Sequence, residues 1–142
     1  MDVHSKNIRS YNMSQIKNKN TKPEDKVKKY LFSRGFRYRK NYKKLPGCPD
    51  IVLPKYKTVV FVNGCFWHVH ENCKYFVWPS SNVEFWKDKL GRNKQRDEEN
   101  IEKLKNMGWK VIIVWECELR KDKIENRLIQ LVNEIRSHLN DN

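Results

Sequence analysis

Apolar positions along this chain follow two periods in turn, and each change of period marks an element. Val27 and Leu31 share one face of a helix opened by TKPE, where Thr21 reads as an N-cap hydroxyl and Glu24 as its capping-box partner. Pro23 suits that first turn and Gly35 is a natural stop. FRYRK (36–40) alternates as an edge strand does. DIVL and TVVFV, joined by the turn PKYK, read as a hairpin with Asp50 at the mouth of its first strand. The β-branched and aromatic run TVVFV fits a strand covered on both faces. Helical spacing then runs from Asn82 to Met107, with a break expected near Gly91 and a stop at Gly108. WKVIIVWE (109–116) reads as a second central strand. Ile124, Leu128, Leu131, Val132, Ile135 and Leu139 place one apolar stripe on a C-terminal helix. The order α, hairpin with an added strand, α, β, α describes an α/β fold, a mixed central sheet flanked by helices.

The chain has 142 residues, enough for one hydrophobic core. Residues 1–20 scatter Lys6, Arg9, Lys17 and Lys19 among polar residues, with only Ile8, Met13 and Ile16 as apolar anchors. That composition predicts a flexible basic arm on a single domain over 21–142. Lys and Arg number 30 against 17 Asp and Glu, a formal charge of +13, so a polyanion is the favoured partner, with a merely basic surface as the bland alternative. The N-terminus lacks an apolar signal-peptide core, and no stretch nears the roughly 20 apolar residues of a membrane span. The chain therefore reads as cytosolic, without a membrane partner. In that reducing setting the four cysteines, Cys48, Cys65, Cys73 and Cys117, suit metal ligation better than disulfides.

The segment GCFWHVHENC (64–73) concentrates the candidate chemistry. Cys65, His70 and Cys73 are spaced C-x4-H-x2-C, and Cys117 lies at the end of the strand WKVIIVWEC. Three local ligands and one remote ligand make a closed tetrahedral zinc site, and the competing reading is buried apolar thiols beside a surface histidine. If His70 takes the metal, His68 is free to act as a general base, since an imidazole titrates near about 6.5. In an extended segment the two would point the same way, although a loop can separate them. Asp50 and Asp97 are either solvated charges or carboxylates that hold Mg2+ at a phosphate. Phe66, Trp67 and Trp86 either fill the core or, in so basic a protein, form a wedge that enters a base stack.

The segments MSQIKNKNTKPE, LPGCPDIVL, VVFVNGCFWHVHENC, EFWKDKLGRNKQRDEENI and LKNMGWKVIIVWECELR together resemble the very-short-patch-repair (Vsr) DNA mismatch endonucleases, from about Met13 to Arg120. The resemblance implies a restriction-endonuclease-like fold with a structural zinc site. It also implies Mg2+-dependent nicking of one strand just 5′ of the T in a T:G mismatch, the product of 5-methylcytosine deamination. Asp50 then matches the carboxylate that binds Mg2+, the Val62 backbone carbonyl a second ligand, and Glu24 an acidic group serving two metal ions through water. His68 matches the general base and Asp97 its carboxylate partner. Cys65, His70, Cys73 and Cys117 match the zinc ligands. Phe66, Trp67 and Trp86 match an aromatic wedge, and Met13 an arm residue intercalating from the other groove. A monomer acting on bacterial nucleoid DNA in the cytoplasm is implied, with a MutL-like mediator of mismatch repair as accessory partner.

Val62 and Asn63 depart from the Thr and His common in the family, and the His70–Cys73 spacing is one residue longer than expected. Cys48 falls at a variable position and reads as a spare thiol. The Glu-x-Lys of many nucleases of this fold is missing after Asp50, a gap that a histidine base fills. Two other readings remain open on the sequence: a non-catalytic zinc-stabilised DNA-binding module, and a related nuclease with another lesion or a restriction role.

Overall fold

A computed structural model describes residues 22–140. The arm 1–20 with Met13, the capping residue Thr21 and the side chain of Leu139 lie outside the described residues. The elements are α1 (Lys22–Ser33), β1 (Arg39–Lys40), β2 (Ile51–Leu53), β3 (Thr58–Asn63), α2 (Val83–Asn106), β4 (Lys110–Trp115) and α3 (Ile124–Asn140), with 3-10 turns at Pro54–Tyr56 and Glu116–Leu119. The four strands form one mixed sheet in the order β1-β2-β3-β4, the first two pairings antiparallel and the third parallel.

Strand alternation divides the sheet into two faces. Val60 and Val62 of β3 and Ile112 and Val114 of β4 face α1 and α3, where they join Val27, Leu31, Leu131 and Ile135 in the main core. Val59, Phe61 and Val111 face the other way and meet Leu104 near the end of α2 in a smaller core. Helix α2 has just two buried residues, Leu90 and Leu104, so most of its length stands in solvent.

Three sequence expectations change. Helix α2 runs unbroken through Gly91, because one helical glycine costs only about 1 kcal/mol relative to alanine and the flanking residues are good helix formers. FRYRK pairs over Arg39–Lys40 alone, since Phe36 turns into the main core and the Tyr38 hydroxyl donates to the Lys28 carbonyl at 3.1 Å. Glu116 and Cys117 belong to a 3-10 turn rather than to β4. That turn is tied to α3 by buried Arg127, whose Nε lies 3.2 Å from Glu118 Oε2 and whose NH1 lies 3.2 Å from Glu134 Oε1.

Candidate active site and metal centre

The sheet topology brings the candidate groups to one edge. Because β2 runs antiparallel to β3, Asp50 at the start of β2 lies beside Val62 near the end of β3, and the Val62 N–H donates to Asp50 Oδ2 at 2.7 Å. The chain leaving β3 winds tightly, with His68 N–H donating to Gly64 O at 3.2 Å and His70 N–H to Cys65 O at 3.0 Å. Val69, between the two histidines, has φ 50°, a left-handed backbone that a β-branched residue adopts only under constraint. That inversion separates His68 from His70, the outcome open to a loop and closed to an extended segment.

His68 turns toward α2, where its Nδ1 lies 2.5 Å from Asp97 Oδ2. Both side chains are partly exposed, 25% and 32%, so the pair is held yet open to a reactant. They line a cleft of about 480 Å³ together with Asp50, Val62 and Asn63. Asn93, Arg96 and Asn100 of α2 also line it. Their helical spacing around Asp97 was a legible polar stripe that the sequence reading passed over. Cys48 lines the cleft too, apart from the other three cysteines.

Asp50 is 7% exposed, and its carboxyl is pushed up to about 8, first by burial and then by its hydrogen bond with Glu24, against the opposing Val62 N–H. Glu24, fully buried, also takes a 2.7 Å ion pair from buried Lys28. Two adjacent buried carboxyls form a hard oxygen donor set that suits Mg2+.

Cys65, His70, Cys73 and Cys117 converge with all four ligand atoms within 4.8 Å of one another. Cys117 Sγ and His70 Nδ1 are 3.5 Å apart, and tetrahedral Zn2+ separates a sulfur and a nitrogen ligand by about 3.6 Å, so the donor set fits zinc. Burial pushes the Cys65 thiol up to about 12 and also raises Cys117. Burial acts upward on Cys73 as well, but the Tyr75 N–H and the neighbouring thiols bring it down on balance. Burial lowers the His70 imidazole, favouring the neutral ring that ligates metal.

Phe66, Trp67 and Trp86 are brought together, with ring centroids 5.2 Å apart for Phe66–Trp67, 5.5 Å for Phe66–Trp86 and 6.2 Å for Trp67–Trp86. Phe76 and Phe85 extend this cluster, and Trp78 packs on Phe76. Residues 73–82 carry no periodic pattern, so nothing in their sequence pointed to that association. The Trp67 indole N–H is buried without a hydrogen-bond partner among the described residues.

The chain matches the family described as DNA mismatch endonuclease Vsr over residues 1–74. It is 51% identical to the type II nicking enzyme V.NmeAIP of Neisseria meningitidis serogroup A, over 95% of this chain and 96% of that protein. It is 44% identical to the DNA mismatch endonuclease Vsr of Escherichia coli K12, over 84% of this chain and 76% of that one. The type II nicking enzyme V.XorIIP of Xanthomonas oryzae is 45% identical over 78% of this chain and 81% of its own length. With the family model matching residues 1–74 and relatives of 44–51% identity aligned over most of both chains, the chain belongs to the Vsr family of DNA mismatch endonucleases.

Proposed function

We propose that this chain nicks one strand of duplex DNA immediately 5′ of the T in a T:G mismatch, by Mg2+-dependent hydrolysis with His68 as general base. The 2.5 Å contact between His68 Nδ1 and Asp97 Oδ2, on the wall of the cleft that also holds Asp50, is the observation that carries this reading. With Nδ1–H donated to Asp97, the Nε2 lone pair is left to take a proton from water. As that water attacks phosphorus, the P–O3′ bond breaks, leaving a 5′-phosphate on the T and a 3′-oxygen that picks up a proton. Asp50 and the Val62 carbonyl would hold Mg2+, with Glu24 serving through water, and the ion supplies charge stabilisation at the phosphate. Zinc on Cys65, His70, Cys73 and Cys117 would fasten the loop after β3 to the turn after β4. The domain is read as restriction-endonuclease-like, acting as a monomer on nucleoid DNA.

Phe66, Trp67 and Trp86 form the wedge in this reading, with Met13 of the basic arm entering from the other groove. Unstacking costs a few kcal/mol and costs least at a mismatch, which ties entry to the lesion. The paired His68 and Asp97 favour an enzyme over a passive DNA-binding module.

The test is incubation with Mg2+ and a duplex carrying one T:G in several flanking contexts, beside a matched duplex and His68→Ala. A nick 5′ of the T, with a 5′-phosphate terminus and absent from both controls, is expected. Cleavage that ignores T:G, or that survives His68→Ala, would overturn the reading. T:G binding without cleavage in every context would favour the module.

A further inference from the structure

The turn after Cys73 is closed by the Phe76 N–H, which donates to the Cys73 carbonyl at 3.1 Å. Phe76 packs against Phe66, with ring centroids 6.2 Å apart, while the next two side chains stand in solvent, Val77 72% exposed and Trp78 45%. Trp78 meets the Phe76 ring edge-on at 5.0 Å, so it is a held ring at the outer end of the aromatic cluster. Large apolar side chains exposed next to one another mark an interaction surface. The charge around them indicates its partner. From Asn72 to Val83 the chain has no Asp or Glu. Arg120 lies 3.6 Å and Lys74 5.2 Å from the ring centroid of Tyr75, and neither cation has a carboxylate partner among the described residues.

We propose that the segment Lys74–Trp78 is a second DNA contact, a platform for the duplex on one side of the mismatch once the wedge has bent it. A wedge in a base stack is an unfavourable contact by itself, and the cost is offset by the extra protein surface that bent DNA can touch. Phe66, Trp67 and Trp86 are half-buried among themselves, so that extra surface lies elsewhere. Trp78 and Val77 supply it, joined to the wedge through Phe76 and flanked by cations that suit phosphates. A second copy of this chain fits the patch poorly, since it too carries a formal charge of +13. The inference rests on the wedge reading above and adds to it where the flanking duplex lies.

The experiment is equilibrium binding of the full-length, zinc-loaded protein, without Mg2+, to three T:G duplexes: one with long flanks, and two with one flank or the other cut back to a few base pairs. Trp78→Ala is expected to weaken binding of the long duplex about tenfold, the size of one lost aromatic contact. On one shortened duplex, the one missing the flank that Trp78 touches, the variant should bind as wild type does. Trp78→Phe should recover most of the loss. Should Trp78→Ala fold poorly, as its Tm and zinc content would tell, Val77→Glu carries the same test, because that side chain stands in solvent. Its new charge should weaken the long duplex alone, and less so at high salt. An equal loss on all three duplexes would mean that Trp78 merely props the wedge through Phe76, and overturns the inference. No loss on any duplex, from either variant, also overturns it and leaves the patch to another partner. Trp67→Ala that weakens T:G and matched duplex alike would instead remove the wedge on which the inference stands.

Discussion

The His70 imidazole lies flat on the Trp115 indole, with ring centroids 3.9 Å apart and planes 5° from parallel. Trp115 ends β4 and pairs in register with Asn63, the last residue of β3, so the stack joins the loop after one strand to the end of its neighbour. It also fixes the ring whose Nδ1 approaches Cys117 Sγ. Groups that orient a metal-bound histidine typically contribute about 10- to 100-fold to affinity. Trp115→Ala is therefore expected to release zinc to a chromogenic chelator at a roughly tenfold lower chelator concentration than wild type. Unchanged release would mean that the stack does not orient the ligand.

Complete zinc removal should cost much more than that single substitution, because ligand binding is coupled to folding of the loop. Stringent chelation is expected to lower Tm and to expose residues 64–76 to proteolysis first, with recovery on adding Zn2+. A chelated protein with its Tm and digestion pattern intact would contradict the zinc assignment.

The sequence pattern disclosed the sheet because β-branched runs such as TVVFV have few alternatives, and the four cluster ligands because Cys and His are scarce enough for their spacing to carry information. That a loop could separate His68 from His70 was legible, but how it does so was not, since it depends on a left-handed Val69 that side-chain preference disfavours and only the surrounding packing enforces. Lys28 was hidden for another reason. In a segment with lysines at 26, 28 and 29, charge suggests solvent, and only the 24, 27, 28, 31 spacing marks Lys28 as inward-facing. Gly91 misled in the opposite direction, as a strong local signal outweighed by twenty-three other helical residues in α2.

Gly91 itself gives a clean stability test. A methyl group added there meets nothing within 4 Å among the described residues, and its backbone is helical. Gly91→Ala is expected to stabilise the protein by about 0.5–1 kcal/mol through reduced freedom of the unfolded chain. Urea denaturation reads this as a higher midpoint at an unchanged slope. A lower midpoint would mean that α2 bends at this position.

In the proposed mechanism, Asp97→Asn retains an acceptor for His68 Nδ1–H but removes the charge that would stabilise an imidazolium on His68. With both side chains partly exposed, stability should change by less than about 1 kcal/mol. The single-turnover nicking rate should fall about a hundredfold or more, with T:G binding retained. A rate within threefold of wild type, a barrier change of about 0.6 kcal/mol at most, would remove Asp97 from the mechanism.

Asp50 makes the metal-free protein sensitive to pH in a defined direction. Its carboxyl has an ordinary value of 3.8 and stands near 8 in the fold, raised by burial and by the hydrogen bond with Glu24. Below 3.8 both folded and unfolded chains hold the proton, and the full contribution to stability is present. As pH rises the unfolded chain releases its proton first, so stability is lost progressively until the native carboxyl also ionises near 8. Asp50→Asn should remove this slope, because the amide oxygen can accept the Val62 N–H while the amide N–H donates to Glu24. In chelexed buffer at pH 8 the variant is expected to be more stable than wild type by about 1–3 kcal/mol, while losing nicking activity. Saturating Mg2+ should narrow or reverse the difference by stabilising wild type alone, since only an ionised Asp50 binds the ion. Parallel stability curves for the two proteins from pH 5 to 8, with or without Mg2+, would mean that Asp50 carries no such strain.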